Sequence, residues 1–327
     1  MSPGMSSANG HSIDLVYRVW VKTKDNKLAQ MQSVLNKNYL VHQRLHTNYT
    51  PKTNPRILGI PAPIIQTYGG PQDPRVYHYA GSPWVIFNKF LPTNRTCEHK
   101  ITNVALYTYN LDTHQIRRIR AMNGEFRCRE KNWSPLIKDD KLFFIYSLEP
   151  TVLLHCKTNG ECMFRQTSNS ISKVNAGHQV LPLIRGSTQF VPYKWPYYVA
   201  IVHAKWTKTN VSPKSPLKYT NHMLLFNAES YEITFMSKDI QLRDDFLRSS
   251  VPVYRHIYYP FLYPVSLLVR DPDTLHVGLH HNDRDSVVME ISGVEEVLNT
   301  VIRLADERGR PAPRAARKYL AAMNPFM

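Results

Sequence analysis

The sequence predicts an all-β protein, and three observations support this fold class. From about residue 57 onward, short runs of apolar, aromatic and β-branched residues alternate with Gly, Pro, Asn and Asp, as strands alternate with turns. Apolar hairpins recur along the chain, and a polar motif precedes each of them. With 327 residues, 43% of them hydrophobic, the chain is long enough to bury the core that such a fold needs.

The N-terminal part is predicted to hold a tail, a strand and a short helix. Residues 1–12 are polar and lack an apolar signal core, so a flexible tail is expected. The stretch "IDLVYRVW" at 13–20 has the composition of a strand. In "NKLAQMQSVLNK", apolar residues at helical spacing predict a helix. These residues are Leu28, Met31, Val34 and Leu35.

The recurring hairpins predict a β-propeller. Their second strands begin near Trp84, Leu142, Tyr197 and Leu275, so the intervals are 58, 55 and 78 residues. A unit of several short strands at this spacing fits a propeller blade, and five such units would fill the chain. Polar residues break the apolar runs of the repeated strands, and equivalent strand ends converge on the central funnel of a propeller. These residues are Asn88, Ser147, His203 and His280. This pattern favours a propeller over the alternative of two β-sandwiches.

The chain closes with a predicted amphipathic helix in "GVEEVLNTVIRLADERG". Its apolar residues recur at helical spacing. They are Val294, Val297, Leu298, Val301 and Ile302. We therefore expect a tail at 1–12, a propeller catalytic domain at 13–292 and a helical extension at 293–327, in which "RPAPRAARKYLAAM" suits a second, basic helix.

The net charge of +16 favours anionic partners such as phosphate or sugar nucleotides. The basic residues are scattered, and the aromatic residues lie mostly within apolar runs, so nucleic-acid binding is not expected. No apolar run reaches the roughly 18 residues of a membrane span. An anionic partner is therefore expected, with no cofactor and with the oligomeric state left open.

The four cysteines, at positions 97, 128, 156 and 162, lack the CxxC spacing of a zinc site, and no metal is expected. Cys156 and Cys162 flank the turn "KTNGE" and could form a disulfide in an oxidising compartment. Two reduced thiols are the slightly preferred alternative. Four N-x-S/T sequons occur, but without a signal segment a soluble, cytoplasmic location is slightly favoured over the secretory lumen.

The stretch "GGPQDPRV" places Asp73 and Arg75 among two glycines and two prolines. Pro restricts φ and Gly permits φ > 0, so the pair is expected on a stiff, kinked approach to a strand. A plain turn with a solvated Arg is the alternative. One well-held carboxyl suits general acid or base catalysis on a sugar oxygen, whereas ordinary glycoside hydrolysis needs two flanking carboxylates.

Other polar residues follow from the same repeat and are expected in the same funnel. The set is rich in cations, which suit phosphoryl oxygens. Its members are Arg129, Glu130, Lys131, Asn132, Arg185, Gly186, Ser187, His203, His222 and Asp283. The alternatives are solvated charges, simple packing and satisfied core histidines.

Four motifs carry a resemblance to a known family. "GGPQDPRV" resembles the G-x-E-D-P-R signature of the β-mannoside phosphorylases, glycoside hydrolase family 130, and of related eukaryotic mannosyltransferase/phosphorylases. "EKNWSPLIKDDKLFFIYSLEP", "RGSTQFVPYKWPYYVAIVHAK" and "GLHHNDRD" resemble later motifs of that family, in order, over about residues 54–291. The resemblance implies a five-bladed β-propeller.

The resemblance also implies roles for the site residues. Asp73 would be the general acid, and Arg75 would orient it or bind sugar. Asp283 would hold sugar hydroxyls, and the phosphate would face Lys131, Arg185, His203 and Tyr219. The remaining members of the funnel set are expected to bind substrate, at Asn132 and His222, and the donor, at Arg129. Gln72 replaces the usual acidic residue, and "YSLEP" stands where a phosphate-binding Arg is found in the bacterial enzymes.

These departures favour a glycosyltransferase over a phosphorylase. The expected enzyme moves a sugar, with mannosyl favoured, from a nucleotide-sugar or sugar 1-phosphate donor to a glycan acceptor in the central funnel, and Asp73 acts as acid or base. Its expected partners are therefore a sugar donor and a glycan acceptor. The alternatives are a β-mannoside phosphorylase and a non-catalytic glycan-binding propeller.

Overall fold

The computed structural model describes residues 3–7, 10–24, 34–62, 64–65, 68–97, 100–148, 150–166, 183–206, 218–250, 260–282 and 284–308. Within these ranges the chain forms five sheets and two helices, and its fold is a five-bladed β-propeller. The predicted fold class is therefore confirmed. Neither of the described helices is long and apolar enough to cross a membrane.

The first sheet is built from the N-terminal residues. Its strands are β1 (Pro3–Ser6), β2 (Ile13–Lys24), β3 (Val34–Leu45), β4 (Arg56–Ile57), β5 (Ile64–Ile65) and β6 (Tyr68–Gly69). Their order is β1-β2-β3-β6-β5, and β4 pairs with β3.

Two predictions for this N-terminal region differ from the structure. Residues expected in a flexible tail form β1, where Met5 is 1% exposed and the backbone pairs with β2. Val34 and Leu35 lie in a strand and not in a helix, because β3 pairs with β2 along its whole length. The predicted helix was wrong there, and its remaining residues at 26–33 lie outside the described residues.

The second sheet carries the first predicted hairpin. Its strands are β7 (Pro71–Tyr79), β8 (Ser82–Cys97), β9 (Lys100–Asn110) and β10 (Ile116–Arg118), in the order β10-β9-β8-β7. Side chains alternate along β8, so that Val85 and Phe87 join a buried cluster with Val76 and Tyr109. Burial of this apolar face holds β7, and with it Asp73, in register.

The third sheet follows the predicted motif "EKNW". Its strands are β11 (Arg120–Ala121), β12 (Ser134–Lys138), β13 (Lys141–Leu148), β14 (Thr151–Cys156) and β15 (Glu161–Gln166), in the order β11-β15-β14-β13-β12. Asp139 and Asp140 join β12 to β13 with φ of 49° and 51°, the positive values that a tight hairpin turn requires.

Two cysteines of this sheet form a disulfide. Cys156 and Cys162 are bonded across the hairpin that joins β14 to β15. Cys128 is also disulfide-bonded. The preferred expectation of reduced thiols at 156 and 162 was therefore wrong, because the hairpin places the two Cα atoms 4.1 Å apart.

The fourth and fifth sheets carry the last two predicted hairpins. The fourth contains β16 (Leu183–Arg185), β17 (Val191–Lys194), β18 (Tyr197–Trp206), β19 (Lys218–Asn227) and β20 (Glu232–Met236), in the order β16-β18-β19-β20 with β17 paired to β18. The fifth contains β21 (Leu262–Asp271), β22 (Thr274–His281) and β23 (Asp285–Ser292). All four predicted second strands begin within two residues of the expected position.

The described residues hold two helices, α1 (Asp244–Arg248) and α2 (Val294–Arg308). The second confirms the predicted C-terminal helix. Leu298 is fully buried in a cluster with strand residues of the fourth and fifth sheets, whereas Val297 is 44% exposed and lies on the solvent side. The hydroxyl of Tyr197 donates to Asp306 at 2.5 Å and ties the end of α2 to β18.

The chain divides into two compact units. The first runs from the N-terminus to Asn132 and includes Asp139–Leu142 and His155–Phe164. The second contains Trp133–Lys138, Phe143–Leu154 and the chain from Arg165 onward. Asp73 belongs to the first unit, and Arg185 and His203 belong to the second.

Candidate functional site

Asp73 lies at an irregularity of β7. The register of β7 with β8 shifts between Gln72 and Arg75, which is the signature of a β-bulge. Asp73 has a φ of 51°, in the left-handed region that few residues other than Gly adopt. Because such backbone costs about 1–3 kcal/mol and clusters at functional sites, this residue is a candidate for catalysis.

The Asp73 carboxylate is held on both oxygens. The amide of Asn88 donates to Oδ2 at 2.9 Å, and the guanidinium of Arg18 lies 3.6 Å from Oδ1. The Arg18 side chain is 5% exposed and that of Asp73 is 23% exposed, so a buried cation and amide orient a carboxylate that solvent still reaches.

Arg75 supports the backbone of the same bulge. It is 2% exposed, and its Nη1 donates to the main-chain oxygen of Asp73 at 3.3 Å. On a regular extended strand the side chains of Asp73 and Arg75 would point to the same side, but the bulge interrupts the alternation here. Arg75 therefore contacts the main chain of Asp73 and not its carboxylate in this hydrogen bond.

Sequence reasoning placed Asn88 among the polar strand ends at the funnel without a role at Asp73, and it did not assign Arg18 to the site. Arg18 lies in β2 and Asn88 in β8, so only strand pairing brings them to Asp73. A signal was present for both. Arg18 is a cation inside the apolar pattern of "IDLVYRVW", and Asn88 breaks the apolar run of β8.

The predicted residues before β12 are placed by backbone hydrogen bonds. The amide of Glu130 donates to the carbonyl of Val104 at 2.9 Å, and the Glu130 carboxylate accepts from the amide of Arg127 at 2.6 Å. Arg129 lies over the ring of Phe90 at 6.0 Å. Two further predicted residues follow in sequence: Lys131 is exposed, and Asn132 is 8% exposed with a φ of 66°.

In the second unit, strand pairing brings Arg185 and His203 together. They are directly opposed in the β16–β18 register, so their side chains share one face of the sheet. Ser187 Oγ and His203 Nδ1 share a hydrogen bond of 2.5 Å, with both residues at most 1% exposed. Nε of Arg185 is buried and has no hydrogen-bond partner among the described residues.

Aromatic rings surround His203. Its ring centroid lies 4.6 Å from that of Tyr263 and 6.1 Å from that of Tyr219. Tyr263 in turn stacks on His280, with centroids 4.9 Å apart and planes 17° apart. The predicted set included Tyr219 and Ser187, and His280 was among the strand ends expected at the funnel. Tyr263 was not predicted, because its contacts depend on pairing between distant strands.

The structure does not bring His222 to this group. It is paired with Val202, one position from His203, and therefore lies on the opposite face of β18 and β19. There it is hydrogen-bonded to Thr220 and to the Ser237 carbonyl, and burial lowers its pKa. Asp283, another predicted sugar ligand, lies outside the described residues.

The group in each unit has its own chemistry. Asp73 offers a fixed, solvent-accessible carboxyl, and Arg185 with His203 offers donors for an anion. No cluster of three or more His, Cys, Asp or Glu side chains that could bind a metal ion is found where the structure is described.

Comparison with known proteins finds likeness in structure and not in sequence. No family model matches the chain, and no curated protein matches it. A glycosyl hydrolase from Bacteroides ovatus superimposes with a TM-score of 0.57 at 13% identity, covering 88% of this chain and 82% of the other. A structure from the family 130 mannoside phosphorylases, a family that contains glycoside hydrolases targeting β-1,2 mannosidic linkages in Candida mannan, gives 0.57 at 13% identity over 88% and 83%.

A mannose phosphorylase from Leishmania mexicana, in complex with phosphate ion, superimposes with a TM-score of 0.52 at 13% identity, covering 90% of this chain and 83% of the other. These likenesses extend over most of both chains, so the chain has the same propeller fold as the mannoside phosphorylases that its motifs resemble.

Proposed function

We propose that this chain is a carbohydrate-active enzyme that transfers a glycosyl unit, with mannosyl favoured, between a phosphate-bearing donor and a glycan acceptor. Asp73 carries the proposal: its backbone is held at a φ of 51° inside a bulge, and its carboxylate is oriented by Arg18 and Asn88 while 23% of it stays exposed. A carboxyl that only closed a turn would not need two buried partners.

In this proposal Asp73 moves the proton of the reaction. During transfer to an acceptor, its carboxylate accepts the proton of the attacking sugar hydroxyl, while the bond from the anomeric carbon to the donor phosphate oxygen breaks. In the reverse direction, the protonated carboxyl donates to the departing glycosidic oxygen, directly or through a sugar hydroxyl. Both directions need a carboxyl in one orientation, which Arg18 and Asn88 supply.

Arg185 and His203 are proposed to bind the anionic group of the donor. Arg185 projects from the sheet face that also carries His203, and its Nε has no partner in the described part of the chain. A bound phosphoryl oxygen would satisfy this buried donor. Ser187 holds His203 through Nδ1 and so fixes the orientation of the ring. Arg129 and Lys131 remain proposals for the same role.

A second candidate function is phosphorolysis of a β-mannoside, in which inorganic phosphate attacks the anomeric carbon. The basic residues suit free phosphate as well as a donor diphosphate. The likeness in fold to a mannose phosphorylase that binds phosphate supports this candidate.

A donor screen tests the proposal. Purified protein is offered mannose 1-phosphate or nucleotide sugars with simple sugar acceptors, and separately β-mannosides with inorganic phosphate. Product formation is followed by phosphate or nucleotide release, with Asp73→Asn as the control for a contaminating enzyme. Turnover that Asp73→Asn leaves unchanged, or the absence of any turnover in both assays, would contradict the proposal.

A further inference from the structure

A pocket of about 240 Å³ lies within the second unit, beside the strand ends that carry the aromatic group around His203. Its walls are the first residues of β19, the segment at 239–242, helix α1 and the start of β21. Tyr219 and Asn221 line it from β19. Both lie on the sheet face of His203, because His203 pairs with Asn221 and the next same-face pair joins Lys205 to Tyr219.

One side of this pocket is aromatic. The rings of Tyr219 and Phe261 lie 5.3 Å apart, with their planes 37° apart. Phe261 is 5% exposed, so the body of the protein holds its ring in place. Ring faces of this kind can pack against the C–H face of a sugar.

The other side is polar and fixed by internal hydrogen bonds. The Asp239 carboxylate accepts from the backbone N–H of Asn221 at 2.9 Å and from the side-chain amide of Gln241 at 3.2 Å. The Asn221 side chain is anchored to the Leu262 carbonyl, while its Oδ1 is buried and lacks a hydrogen-bond partner among the described residues. A ligand hydroxyl group that donated a hydrogen bond to this buried amide oxygen would therefore be stabilised.

The charge of the lining distinguishes this pocket from an anion site. Among the lining residues that the structure describes, the charged side chains are those of Asp239, Asp244 and Arg248, a net negative balance in a chain whose net charge is +16. A phosphate group would meet repulsion there. A neutral ligand with several hydroxyl groups would find both acceptors and a donor.

We propose that this pocket binds one uncharged sugar ring of the glycan acceptor. This inference rests on the proposed function and identifies where the glycan acceptor would bind. The volume of about 240 Å³ lies below the roughly 300–1,000 Å³ of typical ligand pockets, which suits a single sugar ring. Tyr219 then contacts the acceptor and not the phosphate.

The test compares two neighbouring aspartates. Asp244 and Asp245 both lie in the first turn of α1 and are both exposed, but only Asp244 lines the pocket. Binding of mannose, mannobiose and inorganic phosphate is measured by calorimetry and saturation-transfer NMR for the parent, Asp244→Asn and Asp245→Asn. We expect Asp244→Asn to weaken saccharide binding by about tenfold or more, as for the loss of a charge-assisted hydrogen bond. Phosphate binding should not change.

The outcomes separate this inference from the proposed function. Saccharide binding that both aspartate variants leave unchanged, or weaken equally, overturns the pocket assignment while the glycan-active proposal stands. Phosphate binding that Asp244→Asn strengthens or weakens as much as saccharide binding also overturns it. If the parent binds no saccharide at all, both proposals fall.

Discussion

Replacing Asp73 by Asn should abolish most turnover while leaving the protein folded. Asn tolerates the left-handed backbone about as well as Asp, so the bulge of β7 should persist. The Arg18 guanidinium, only 5% exposed, loses its counter-charge at 3.6 Å, which costs about 1–3 kcal/mol of the 5–15 kcal/mol typical of a folded protein. Urea unfolding followed by tryptophan fluorescence measures this loss.

The effect on rate should be larger than the effect on folding. A missing general acid or base lowers turnover by about two to four orders of magnitude, which corresponds to about 3–5 kcal/mol of activation free energy. The donor screen measures the rate at saturating sugar. Asn88→Ala is the matched control, because it removes the 2.9 Å hydrogen bond and leaves the carboxyl. Turnover of Asp73→Asn within a few-fold of the parent, in protein shown to be folded, would refute the catalytic role.

Three further predictions follow from described contacts. Arg185→Ala should raise the donor KM by about tenfold or more and leave the acceptor KM nearly unchanged, since its buried Nε is proposed to meet the donor anion; equal increases would contradict this. A variant with Ser in place of both Cys156 and Cys162 should keep its turnover and lose about 2 kcal/mol of stability, because the disulfide closes a short loop. A variant that is folded but inactive would contradict this prediction. Burial alone would raise the pKa of Asp14, but hydrogen bonds from His42 and His78 and the charge of Arg44 lower it below its ordinary 3.8. The ionised Asp14 carboxylate therefore stabilises the folded protein fully above about pH 4, and this stabilisation is lost as the pH falls further. Between about pH 6 and pH 2, the midpoint of urea unfolding should fall less in Asp14→Asn than in the parent protein.

The strands and the C-terminal helix were predictable because their signals are local. A strand with one buried face alternates in sequence, and an amphipathic helix repeats its apolar residues every three or four positions. The second strands near Trp84, Leu142, Tyr197 and Leu275 and the helix at Val294–Arg308 were found in this way.

Predictions failed where non-local pairing outweighed local pattern. Val34 and Leu35 have helical spacing with Leu28 and Met31, yet β3 forms because β2 offers a complete ladder of backbone partners. Pro3–Ser6 has the composition of a tail, but this segment forms an edge strand because its backbone pairs with β2. The disulfide at Cys156 depends likewise on the register of a hairpin.

For the site, the sequence by itself determined that Asp73 sits in a stiff, kinked segment and that cations gather in the motifs before the hairpins. Those are properties of neighbouring residues, since Gly and Pro act on the chain next to them. Tertiary structure alone decided that Arg18 and Asn88 orient the Asp73 carboxylate, that Ser187 holds His203, and that His222 lies on the other face of the sheet. The physical reason is register: a side chain's neighbours across a sheet are set by which strands pair and at which residue, and a shift of one position reverses the face.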